Sequence, residues 1–187
     1  MREYKMIESW YSGQVTRKHT MVNIRAENVA EHTWGVVHLI MMLWPGVPVP
    51  VLYAAQYHDF GEKATGDVPA TVKWAHPTVA ATFDLLENAH IQQSLPRWIL
   101  NPLDSLTDFQ KGFLSFCDRA ELCLSQSRER RMGNTLAMAA FVRSYNKAEE
   151  TYKSIAQEMR EYHIPLWTET AHFWQELTNE KEALGKL

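Results

Sequence analysis

Cysteine is scarce in this sequence: Cys117 and Cys123 are the only two among 187 residues. Two thiols cannot form a disulfide framework, so we expect both to be reduced and the protein to be cytoplasmic. A long apolar run is also lacking. The longest nearly apolar run, from Trp34 to Trp44, contains His38 and falls far short of the roughly 18 residues that suggest a membrane span. The charged first residues do not resemble a secretory signal, and we expect no membrane association.

Excess charge of one sign is lacking as well. The formal net charge is −3, and a near-neutral chain is a poor candidate for binding duplex nucleic acid. Hydrophobic residues make up 45% and charged residues 22% of the chain, which excludes disorder as its main state. A chain of this length can bury a core alone, and we predict one domain over residues 1–187.

Apolar residues recur every three or four positions, and no stretch alternates long enough to predict a strand, so the predicted fold is all-α. The motif-bearing core is expected at about 17–122, followed by long C-terminal helices over about 132–184. The predicted helices cover 2–12, 28–44, 50–60, 71–75, 77–94, 107–131, 134–162 and 168–184, with a loop over 61–70. Thr107 and Gln110 form a capping-box pattern at the start of one of them.

The tripeptide Tyr57-His58-Asp59 is the first pattern with chemical meaning. Imidazole nitrogen and carboxylate oxygen both suit a divalent ion, although an isolated His-Asp pair is more often an ordinary helix end. His32 and Asp118 favour a metal site over an ordinary helix end, because both are polar residues within apolar helical stretches. A buried carboxylate needs a cation, and one metal ion held by all four side chains would satisfy that need.

Two longer segments narrow the interpretation. Residues 25–32 read Arg-Ala-Glu-Asn-Val-Ala-Glu-His, and residues 58–69 begin with His-Asp and continue to Gly-Asp-Val-Pro. With Asp118 downstream, the pattern H…HD…D resembles that of the HD-domain metal-dependent phosphohydrolases. The two segments resemble in particular the HD-domain 5′-deoxynucleotidases and the related small phage dATP triphosphohydrolases. The resemblance implies an all-α HD domain, and from about residue 132 onward only helical character is recognisable.

The resemblance also implies a set of site residues. A divalent transition metal (Co, Mn, Fe or Zn) is expected at His32, His58, Asp59 and Asp118. Glu62 is expected to orient or deprotonate the attacking water. On the substrate side, the expected contacts are Arg17 to a phosphate, Asp67 to a deoxyribose hydroxyl, and Lys73 to a phosphate.

One departure concerns substrate choice. The relatives carry Trp directly after the phosphate-binding Arg, whereas Lys18 follows Arg17 here. Lys18 cannot form the same wall against a ribose 2′-hydroxyl, so strict discrimination against ribonucleotides is in doubt. The extra positive charge, which includes His19, indicates either a longer phosphate chain in the substrate or a solvated basic loop.

The sequence leaves several alternatives open. The substrate is predicted to be a small-molecule deoxynucleotide, cleaved as a monophosphate by a 5′-deoxynucleotidase or as a triphosphate by a dNTP triphosphohydrolase. A non-catalytic nucleotide-binding protein is the further alternative. Glu121, one turn after Asp118, is either a partner of a metal ligand or a surface residue. The resemblance also implies a homo-oligomer.

Overall fold

The computed structural model describes residues 9–17 and 22–186 of the chain. Nine α-helices lie wholly within them, preceded by a 3-10 helix, Tyr11–Gln14. Apart from one isolated bridge between Thr16 and Asn28, the described residues contain no β-pairing. The all-α prediction is confirmed. The helices are α1 Val29–Leu43, α2 Val49–Tyr57, α3 Glu62–Thr65, α4 Ala70–Ala75, α5 Pro77–Ser94, α6 Arg97–Asp104, α7 Asp108–Arg131, α8 Ala137–Tyr162 and α9 Ile164–Leu184.

Local sequence explains where several helices begin. The Asn28 side chain accepts a hydrogen bond from the backbone N–H of Glu31 and caps α1. The predicted capping box of α7 is confirmed, since Thr107 and Gln110 each bond the other's backbone. Pro50 lies in the first turn of α2, where its missing N–H costs no hydrogen bond.

Several elements differ from the prediction; the helix predicted over 50–60 ends at Tyr57, and the one predicted from 134 begins at Ala137. Helix α3 lies within the predicted loop, because a single helical turn is too short to show an apolar period. Helix α6 was not predicted, and it contains Pro102, a residue that usually indicates a break. Helix α9 begins at Ile164 rather than 168, with Pro165 in its first turn. Most of the predicted helix over 2–12 lies outside the residues that the structure describes.

The main core lies between α1, α7, α8 and α9. Helix α7 makes its most extensive contacts with α8 and also packs against α1 and α9. Fully buried aromatic side chains at this junction include Phe113, Phe116 and Phe141. The packing of α7 on α1 sets the distance between their polar residues. In the part of the chain that the structure describes, no helix has the length and apolar character to cross a bilayer.

Candidate active site

Three separate segments bring the four predicted metal ligands together. His32 lies on α1, His58 and Asp59 follow α2, and Asp118 lies on α7. The Nε2 atom of His32 is 3.2 Å from His58 Nε2, 3.1 Å from Asp118 Oδ1 and 3.6 Å from Asp59 Oδ2. Asp118 Oδ1 is also 3.8 Å from His58 Nε2. We refer to these four residues as the ligand cluster.

The ring orientations of the ligand cluster fit a metal ion. His58 Nδ1 lies 2.8 Å from the carbonyl oxygen of Ala55, and His32 Nδ1 is hydrogen-bonded to Glu121. Both Nδ1 atoms are therefore engaged, and both Nε2 atoms face the centre of the cluster together with carboxylate oxygens. Donor atoms of His32, His58 and Asp59 all lie within 4.8 Å of one another. Mixed nitrogen and oxygen donors at this spacing suit a divalent transition ion.

The carboxylates of the ligand cluster need a positive charge beside them. Burial and the charge of Arg17 act to lower the pKa of His32, but its hydrogen bonds to Asp118 and Glu121 prevail and raise it to about 10. Burial acts to raise the pKa of Asp118, yet the hydrogen bond and charge of His32 hold it below its usual value. Without a metal ion, an imidazolium provides the positive charge that these carboxylates need.

Arg17 lies beside the ligand cluster. Its Nη1 atom is 3.2 Å from Asp59 Oδ2, and its Nε atom is 3.9 Å from a carboxylate oxygen of Glu27. The backbone N–H of Arg17 donates a hydrogen bond to the carbonyl oxygen of Glu27 at 2.9 Å. This bond holds the extended segment that contains Arg17 next to the start of α1. Only 13% of the Arg17 side chain is exposed. Although burial acts to lower its pKa, the surrounding carboxylates, Asp59 foremost, raise it.

Glu62 lies in the first turn of α3, one turn after Asp59. Its side chain is buried, and its Oε2 atom makes no hydrogen bond within the protein. Burial, with the charges of Asp59 and Asp67, raises the pKa of Glu62 to about 8. In its ionised form, a buried carboxylate with an unbonded oxygen and an elevated pKa is a stronger base than an ordinary carboxylate and can accept a proton from water. Asp67 lies in the loop directly after α3, with Gly66 at φ +70° preceding it.

The structure describes only one of the two lysines that were predicted to contact the substrate. Lys73, on α4, places its Nζ atom 3.5 Å from Glu87 and 3.9 Å from Asp84, both on α5. Its ammonium group is thus paired with carboxylates, and a contact to phosphate stays a prediction. Lys18 lies outside the described residues, as does His19.

Residues 25–32 contribute side chains to a network that supports the ligand cluster. Glu27 is 2% exposed and accepts hydrogen bonds from Ser125 Oγ at 3.1 Å and Arg128 Nη2 at 3.3 Å. Glu31 pairs with both Arg25 and Arg128. The motif residues that do not enter the cluster thus attach the start of α1 to the end of α7.

Sequence reasoning missed the role of Glu129. This fully buried carboxylate accepts hydrogen bonds from the backbone N–H groups of Ile24 and Arg25 at 2.7 and 3.0 Å, and from Asn134 Nδ2 at 2.9 Å. The available signal in the sequence was that Glu129 is the single acid among three arginines at the end of α7. Glu121 was left open between two roles, and the structure shows it buried against His32.

Comparison with known proteins shows the family and the fold of the chain. Residues 13–170 match the family described as 5′-deoxynucleotidase YfbR-like. The 5′-deoxynucleotidase PM0747 of Pasteurella multocida (strain Pm70) is 25% identical over 158 residues, covering 78% of this chain and 73% of that protein. The cyanophage S-2L HD phosphohydrolase DatZ, solved with dA and one catalytic Zn²⁺ ion, superposes with a TM-score of 0.57 at 16% identity, covering 96% of this chain and 99% of that chain. The likeness to DatZ shows an HD-type fold.

Proposed function

Because the chain belongs to the YfbR-like 5′-deoxynucleotidase family, and is therefore a hydrolase, we propose that it acts on 2′-deoxynucleoside monophosphates. The proposed reaction adds water across the bond between phosphorus and the 5′ oxygen, and releases a deoxynucleoside and inorganic phosphate. The observation that carries the proposal is the convergence of the ligand cluster, Arg17 and Glu62 at one place from four separate segments.

His32, His58, Asp59 and Asp118 would hold a divalent metal ion. The naming of a catalytic Zn²⁺ in DatZ supports this choice, and Co²⁺, Mn²⁺ and Fe²⁺ also suit two imidazoles and two carboxylates. Such an ion supplies Lewis-acid activation of the phosphoryl group and of water.

Two residues of the chain act on the reacting atoms. Arg17 offers a planar fork of donors for the phosphate oxygens, and its contact with Asp59 places that fork next to the ligand cluster. Ionised Glu62 accepts the proton of the attacking water, because its buried oxygen lacks a partner and its elevated pKa makes the carboxylate a stronger base than usual. The hydroxyl of the water joins phosphorus as the bond to the 5′ oxygen breaks. The departing 5′ oxygen takes up one proton, which balances the proton that Glu62 removes from the water.

Asp67 is the proposed contact of the deoxyribose. Its carboxylate lies close enough to Glu62 to raise the pKa of Glu62, and a carboxylate can accept a hydrogen bond from a sugar hydroxyl. DatZ was solved with dA, which supports a deoxynucleoside as the group that occupies the site. Discrimination against ribonucleotides is proposed to be incomplete, since Lys18 replaces the aromatic residue of the relatives.

Product analysis tests the proposal. The metal-loaded protein is incubated with each dNMP, dNTP and NMP, and the released phosphorus species are identified by ³¹P NMR. Inorganic phosphate from dNMPs is the expected product. Tripolyphosphate from dNTPs would instead establish the triphosphohydrolase reaction. Nucleotide binding without turnover would establish a non-catalytic binding protein.

The organisation of the protein remains part of the proposal. We infer one HD-type domain over residues 1–187, working in solution as a homo-oligomer. Light scattering of the purified full chain measures the oligomeric state directly, and a monomeric mass would overturn that part of the proposal.

A further inference from the structure

We propose that Glu121 is a positioning residue for His32, and that Gly35 provides the space through which Glu121 reaches it. The inference rests on the proposed metal centre and assigns roles to two residues outside the ligand cluster. In this arrangement Glu121 fixes the orientation of the His32 ring, so that Nε2 is the nitrogen presented to the metal ion.

Two carboxylates on one turn of α7 contact the two ring nitrogens of His32. Asp118 and Glu121 are three residues apart and lie on the same face of α7. Asp118 Oδ1 lies 3.1 Å from His32 Nε2, while Glu121 is hydrogen-bonded to His32 Nδ1. The His32 ring is fully buried, so water does not compete for either nitrogen. The ring therefore cannot turn without breaking a charge-assisted hydrogen bond.

Gly35 explains how a glutamate fits between the helices. It lies one turn after His32 on α1. A Cβ atom at position 35 would lie 2.8 Å from Cγ, 3.1 Å from Oε1 and 3.3 Å from Cδ of Glu121. Glycine is unfavourable inside a helix, and the close approach of Glu121 supplies the reason for it here. An alanine at this position would have to push the Glu121 side chain away from His32.

The two histidines of the site differ in the group that holds Nδ1. His58 Nδ1 faces the backbone carbonyl of Ala55, whereas His32 Nδ1 faces a carboxylate. A carboxylate partner orients a ligating histidine and makes its other nitrogen a stronger donor, and loss of such a partner typically costs 10 to 100-fold in metal affinity. Glu121 is thus expected to affect metal binding although it is not itself a ligand.

The test measures Co²⁺ affinity and the visible absorption spectrum of the cobalt-loaded full chain. A chelator of known affinity competes for the ion in the parent protein, Glu121→Ala, Glu121→Gln and Gly35→Ala. We expect Glu121→Ala and Gly35→Ala to bind Co²⁺ about 10 to 100-fold more weakly and with an altered spectrum. Glu121→Gln should lose less, because its amide oxygen can still accept from Nδ1–H.

Gly112→Ala is the matched control. Gly112 lies inside α7, and a Cβ there would lie 2.7 Å from the side chain of Ile155, far from His32 in the chain. This variant should change thermal stability without changing cobalt affinity or spectrum. A general packing defect would affect both glycine variants alike, which would overturn the proposal.

The outcomes separate this inference from the metal centre itself. A parent that does not bind Co²⁺ would overturn both. A parent that binds Co²⁺, with unchanged affinity and spectrum in Glu121→Ala and Gly35→Ala, would overturn the role of Glu121 alone. If Glu121→Ala does not fold, as judged by circular dichroism, the milder variants Glu121→Gln and Gly35→Ala decide the question, and unchanged cobalt binding in both would overturn that role.

Discussion

The guanidinium of Arg17 lies 3.2 Å from Oδ2 of Asp59, a member of the ligand cluster. The two residues are 42 positions apart in the chain. Arg17 reaches Asp59 because its backbone N–H is bonded to Glu27, just before α1. In the proposed reaction, a phosphate oxygen at this point would meet both the ligand cluster and the guanidinium fork, and the contact would join metal binding to substrate binding.

Arg17→Ala should therefore reduce kcat/KM for every nucleotide substrate. Removing a charge-assisted contact to a phosphate costs about 1.5 to 3 kcal/mol, which is roughly 10 to 150-fold in rate. Arg17→Lys should restore only part of the loss, because an ammonium lacks the planar fork. Arg131→Ala, which removes a half-exposed arginine paired with Glu180, should behave like the parent. Parent-like steady-state kinetics for Arg17→Ala would exclude Arg17 from phosphate binding.

Glu62→Gln should separate binding from chemistry. The amide keeps the shape of the buried side chain but cannot accept the proton of water, so turnover should fall about 10² to 10⁴-fold. Metal content and nucleotide affinity, measured by elemental analysis and calorimetry, should stay near those of the parent. Glu150→Gln, which changes an exposed carboxylate on α8, serves as the control. Activity within a few-fold of the parent in Glu62→Gln would remove Glu62 from the mechanism.

The metal-free protein should lose stability as the pH rises, through Glu62. Its pKa is about 8 in the folded protein, against an ordinary value of 4.5, mainly because of burial and then the charge of Asp59. The folded state therefore binds a proton that the unfolded state releases between about pH 4.5 and pH 8, and this contribution to stability declines across that window. It amounts to a few kcal/mol at most, at about 1.4 kcal/mol per pKa unit.

Glu62→Gln removes this pH dependence, because the amide does not ionise. Thermal melts of the chelator-treated proteins should show the variant gaining on the parent as the pH rises from about 5 to 8. A metal-loaded pair should show a smaller difference, since the ion favours the charged carboxylate. Parallel stability curves for the two metal-free proteins would contradict the prediction.

Asp118→Ala should lose bound metal and activity together, because it removes one of the two carboxylates that face the His32 and His58 rings. Elemental analysis of the purified variant measures the loss. Asp108→Ala is a suitable control, since Asp108 opens the same helix with a fully exposed side chain. Full metal occupancy in Asp118→Ala would show that Asp118 is not a ligand.

Variants of Lys18 test how many phosphates the substrate carries. Lys18→Ala should reduce kcat/KM for dNTPs and spare dNMPs, if triphosphates are used, because only the longer chain places charge beyond the scissile phosphate. Lys18→Trp should tighten selection against NMPs by providing the aromatic wall that the family resemblance implies at this position. Equal losses on mono- and triphosphates in Lys18→Ala would show that Lys18 does not distinguish chain length.

The long helices follow from the sequence, whereas two of the short ones, α3 and α6, do not. Apolar periodicity and the Thr107 cap place α7 with its correct ends, since 24 residues contain many turns of one pattern. Helix α3 has only four residues, which is one turn. Helix α6 forms in spite of Pro102, because tertiary packing buries Ile99 and Leu100 beside Phe60.

By itself, the sequence determined the helical class, because the apolar period of a helix is a local property. The four residues that converge in the ligand cluster were indicated by the resemblance to the HD-domain phosphohydrolases. Only the tertiary structure decided which partner each polar side chain meets. Glu121 bonds His32 across 89 positions, and Lys73 pairs with Glu87. Periodicity shows which face of a helix is buried, but the partner on that face depends on how two helices pack, and that packing is a property of the whole core.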